Sequence, residues 1–65
     1  MGMNTMIIRF GNNGNLTIVN NPSTVPYVGE SVLQEKGKKI HIVQEVLYTY
    51  KEPNDLIIDV YTKET

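Results

Sequence analysis

His41 is the first residue to weigh for chemistry, as the one histidine of a chain without cysteine. Nucleophilic catalysis needs a serine or cysteine, a base, and a third group that orients the base. Here the base stands alone between Ile40 and Ile42. A histidine in that setting reads as a sheet-surface residue, and no catalytic residue is assigned. Carboxylates come next. Glu45 and Asp59 would approach each other across a hairpin of segments 39–51 and 56–63, and two close carboxylates can divide acid and base roles. Polar residues that alternate with apolar ones more simply face solvent, so both are read as outer-face residues. Asp55 and Asp59 lack the dense oxygen spacing of a calcium loop. A thiolate zinc site is excluded, and one histidine builds no cluster. The expectation is a protein that is not an enzyme and uses no metal or cofactor.

Lys36, Lys38 and Lys39 cluster in sequence, and Tyr27, Tyr48, Tyr50 and Tyr61 are four of the five aromatic residues. Lysines beside Tyr48 and Tyr50 are the ingredients of a platform on which single-stranded bases stack. Against that, the formal net charge is −1 and the pI about 5.6, where nucleic-acid binding draws on a basic face. Nucleic acid is therefore not the expected partner. A single-strand-binding barrel remains an alternative, as does an oligomer that sequesters a nucleotide between subunits. The Gly/Asn stretches at 11–14 and 20–21 lack the helix N-terminus and lysine of a phosphate cradle, and read as turns.

The elements that must position these residues are strands. Thr5 to Phe10 alternates, with Met6, Ile8 and Phe10 on one parity. Gly11-Asn12-Asn13-Gly14 marks a tight reversal, since Gly and Asn tolerate positive φ. Leu16 to Val19 then completes a hairpin. Asn20 to Pro26 is a loop crossing to the second half of the sheet, because prolines 22 and 26 turn their preceding residues away from helix. Gly29 sits at a bend leading into a short strand, Ser31–Gln34, and Glu35-Lys36-Gly37-Lys38 is a hairpin turn. A short helix after Ser31, stopped by Gly37, is the rival there.

Lys39 to Lys51 is the longest apolar segment, rich in β-branched and aromatic residues that suit a pleated surface. Its alternation fails at Gln44. Val43 and Val46 lie three apart, so a strand places both on one face only by inserting a residue, and a β-bulge is expected near Gln44–Glu45. A helix is the rival for this segment too. A turn at Glu52-Pro53-Asn54-Asp55 leads to the last strand, Leu56 to Lys63. The fold class expected is all-β: one domain over 1–65, a five-stranded antiparallel meander or SH3-like barrel, with 1–4 and 64–65 frayed.

The order Pro26-x-x-Gly29-Glu30-x-Val32, a Lys/Gly hairpin, then Ile42-Val43-x-x-Val46 and a closing strand resembles small bacteriophage or prophage proteins with SH3-like barrels. The resemblance spans roughly residues 25–62. It implies a fold and a genomic origin, and a role as an inhibitor or accessory factor acting on a host protein. It transfers no site residue.

Sixty-five residues bury only roughly 60% of their unfolded surface, so such chains lean on disulfides, metals or association. Association is what remains here. Val43, Leu47, Ile57 and Tyr61 fall on the parity opposite the expected core, and a sheet apolar on both faces needs a partner surface. They are the expected interface of a homo-oligomer or protein complex. No apolar run approaches the roughly 20 residues of a membrane span. The first residues show no signal-peptide pattern, and a cytoplasmic setting is expected.

Overall fold

The computed structural model describes residues 2–11 and 14–65. Five strands, β1 (Asn4–Phe10), β2 (Asn15–Asn20), β3 (Ser31–Gln34), β4 (Lys39–Lys51) and β5 (Asp55–Glu64), form one sheet in the order β2-β1-β5-β4-β3. The sheet is mixed and curls into a half-barrel, with no helix among the described residues. The chain is thus all-β, as its alternation requires, and the helical rivals for 31–37 and 39–50 are not formed.

The arrangement differs from an antiparallel meander at one pair. β1 runs parallel to β5, with Asn4 opposite Leu56 and Phe10 opposite Thr62. β2 and β3 are not neighbours but the two edges. β5 carries Leu56, Ile58 and Val60 on its inner face, and flanking strands on both sides bury them better than one. The crossing segment 21–30 makes this possible. Asn21 N–H donates to the Asn4 carbonyl at 2.7 Å at one end, while Gly29 N–H donates to Val43 O and Val43 N–H to Glu30 O at 2.8 and 2.9 Å at the other. Between these anchors, Val25 packs on the core. Gly29 takes φ +96°, a conformation that side chains resist.

The expected bulge is present. Val43 pairs with Thr62 and Glu45 with Tyr61, so Gln44 has no partner in the β4–β5 ladder. The extra residue shifts the inward parity of β4, from His41 and Val43 before it to Val46 after it. Buried Val43 therefore joins Met6, Ile58 and Val60 in the core, with Phe10 buried nearby and Val46, Val32 and Ile8 packed against the cluster. Two expectations are corrected. Val43 is fully buried and is not an interface residue, because the bulge carries it inward. His41 is buried rather than on the surface, its ring 4.9 Å from that of Phe10.

Met3 and Thr65, near the two ends, take part in backbone hydrogen bonds. Met3 N–H donates to Asp55 Oδ1, Leu56 N–H to the Met3 carbonyl, and Thr65 N–H to the Ile40 carbonyl. The 35–38 turn closes through Lys38 N–H to Glu35 O at 3.1 Å, with Gly37 at φ +91°. Asn12 and Asn13 of the first reversal lie outside the described residues, though Phe10 and Asn15 pair across it.

Candidate functional site

With the core on the inner side, the outer face of a five-stranded sheet is left uncovered. The register gives its layout in rows across β2, β1, β5 and β4. One row reads Leu16, Arg9, Tyr61, Glu45. The next reads Ile18, Ile7, Asp59, Leu47, and the one after it Asn20, Thr5, Ile57, Thr49. Beyond the bulge, Ile42 pairs with Lys63 and Ile40 with Leu33. Ile18, Leu33 and Ile40 are each more than half exposed, and Leu16, Leu47 and Tyr61 more than a third. Ile7, Ile42 and Ile57 are half-buried by their neighbours.

An ion pair sits at the centre. Arg9 donates to Asp59 Oδ1 from Nη2 at 3.0 Å and from Nε at 3.3 Å, and its guanidinium lies 5.8 Å from the centre of the Tyr61 ring. The Asp59 side chain is only 13% exposed. The pair carries no net charge and links β1 to β5 at the middle of this face. Asp59 is thereby held by Arg9, and Glu45 lies one row away beside Tyr61.

Leu47, Ile57 and Tyr61 share this face, as their parity indicates. Arg9, Ile7, Ile18, Leu33 and Ile40 also belong to it. The signal for Ile40 was present: a bulge that turns Val43 inward must turn Ile40 and Ile42 outward. Arg9 and Ile7 stand on the parity opposite Met6, Ile8 and Phe10.

The single-strand platform is not assembled. Lys36, Lys38 and Lys39 lie at the β3–β4 hairpin, whereas Tyr48 and Tyr50 end β4 beside Ile58 and Leu56. At about 3.3 Å per residue the two groups are about 30 Å apart. Lys39 also pairs with Glu64 at 3.6 Å.

On the concave side, a cleft of about 680 Å³ opens between the edges of β2 and β3, floored by Ile8, Phe10 and His41. His41 Nε2 is 3.2 Å from Gln34 Oε1. Nδ1 is buried with no hydrogen-bond partner among the described residues, and the ring packs beside Phe10. No known family, curated protein or solved structure matches the chain. Among the described residues, no helix is long and apolar enough to cross a membrane.

Proposed function

We propose that this chain is a small non-enzymatic protein-interaction module that binds through the outer face of its half-barrel. The observation that carries the reading is the set of exposed Ile18, Leu47 and Tyr61 around the Arg9–Asp59 pair, on a sheet whose core already occupies the other side. Interface centres favour tyrosine and arginine set among apolar side chains. Contiguous apolar surface of this kind marks association sites on small domains. A cytoplasmic setting is part of the proposal, supported by the absence of cysteine. The resemblance to bacteriophage barrels adds a role, that of an inhibitor or accessory factor acting on a host protein.

The test is sedimentation of the labelled chain at micromolar concentration, alone and in bacterial extract. The expected result is a species heavier than the 7.4 kDa chain in at least one setting, lost on Leu47→Asp. A monomer in both settings removes the interaction reading.

A further inference from the structure

We infer that the outer face docks a second copy of this chain about a two-fold axis running along β5. The inference rests on the reading of that face as an interaction surface and adds the identity of the partner. Its basis is the register. β5 lies between β1 and β4, and the three strands present aligned rows: Arg9, Tyr61, Glu45; then Ile7, Asp59, Leu47; then Thr5, Ile57, Thr49.

Two sheets stacked about an axis along β5 place β5 over β5, and β1 of each copy over β4 of the other. In the first row, Arg9 of each copy then faces Glu45 of the other, so a cation meets an anion twice. In the second row, Ile7 faces Leu47 twice. In the third, Thr5 faces Thr49. Tyr61 and Ile57 fall on the axis and each meets its counterpart. Asp59 also meets its counterpart, but each carboxylate is already held by its own Arg9 at 3.0 Å. Isologous interfaces demand this kind of self-complementarity, and two-fold dimers are the commonest oligomers.

The alternative axis, across the strands through the Asp59 row, lacks that match. It sets Arg9 over Thr5 and Glu45 over Thr49, so neither charge meets an opposite one across the interface. A strongly charged foreign partner also fits poorly, since Arg9 and Lys63 balance Glu45 and Asp59 on this face. Aligned sheets pack with their strands within about 30° of each other, about 10 Å apart. Because the face is convex, contact is confined to β1, β5 and β4. A contact limited to three strands is expected to fall below the roughly 800 Å² per partner of standard complexes, so the dimer is expected to dissociate in the micromolar range.

The cysteine-free chain allows a direct test with single cysteines and a short bismaleimide, at concentrations where the unmodified chain self-associates. Ile7→Cys and Leu47→Cys are each expected to stay uncross-linked alone and to join when mixed, because position 7 of one copy faces position 47 of the other. Glu45→Arg sets a second guanidinium over Arg9 of the other copy. It is expected to raise the dissociation constant by about tenfold or more, with the circular dichroism spectrum unchanged. Cross-linking of Ile7→Cys to itself overturns the axis along β5. A chain that is monomeric alone but heavier in extract overturns the second copy as partner and leaves the interaction reading standing. A monomer in both removes both.

Discussion

An aspartate at position 43 and one at position 47 are expected to do different damage. Val43 is fully buried and Leu47 is 46% exposed. A carboxylate at position 43 has no partner in the core and costs several kcal/mol, more than a domain of this size is expected to have in reserve. Val43→Asp is therefore expected to abolish the β-sheet circular dichroism signal. Leu47→Asp is expected to keep it and to lose only self-association, read by sedimentation. His41 supports a second expectation. Its Nδ1 is buried without a partner among the described residues, and a phenylalanine there would remove that polar atom and stack against Phe10. The hydrogen bond to Gln34 is lost, but Gln34 is half-exposed and can bond water. His41→Phe is expected to change stability by no more than about 1 kcal/mol, with stabilisation the favoured direction. Urea denaturation checks it, and a loss of several kcal/mol would show that the imidazole makes a stabilising contact beyond Gln34.

The bulge in β4 shows how much one element discloses in sequence. Gln44 interrupts an otherwise apolar parity, and Val43 and Val46 are three apart; both facts are local and both point to an inserted residue. What they do not reveal is which half of β4 keeps the even parity inward. Ile40 and Ile42 are as apolar as Val46 and Tyr48, so each half could fill the core on composition alone. The tie is broken from outside the element. β3 sets Val32 opposite His41, and segment 29–30 hydrogen-bonds to Val43. Deleting Gln44 restores a strict two-residue period that keeps His41, Val43, Val46 and Tyr48 on one face and leaves the β4–β5 pairs in register. The deletion is expected to keep the β-sheet circular dichroism signal and to move the melting temperature by less than about 10 °C, since a change of 1 kcal/mol shifts a domain this small by roughly 4–8 °C. Loss of the sheet signal would mean that the bend the bulge puts into β4 is itself needed to curl the sheet.

At the scale of the molecule, the strands and turns were legible, but the neighbour order was not. Each hairpin is announced by its turn residues, whereas β1 and β5 meet without a turn and from opposite ends of the chain. Nothing local marks a parallel pair so far apart in sequence. The same fact makes the fold all-or-none. β1 supplies buried Met6 and Phe10 and covers one flank of β5 with seven paired residues. Without it, β5 becomes an edge and the inner face of Ile58 and Val60 is open to water. Burial of apolar side chains contributes only about 25 cal/mol per Å² against roughly 1–2 kcal/mol of backbone entropy per residue. A sheet with three strands and half a core falls on the wrong side of that balance. A chain of residues 21–65 is thus expected to be unstructured by circular dichroism, although three of its strands are joined by intact hairpins. Adding a peptide of residues 1–20 is expected to restore the β signal in a concentration-dependent way, because β1 pairs with β5 without any covalent turn between them. If 21–65 folds alone, the parallel β1–β5 pair is an accessory to the sheet rather than its keystone, and the core must be centred on β4.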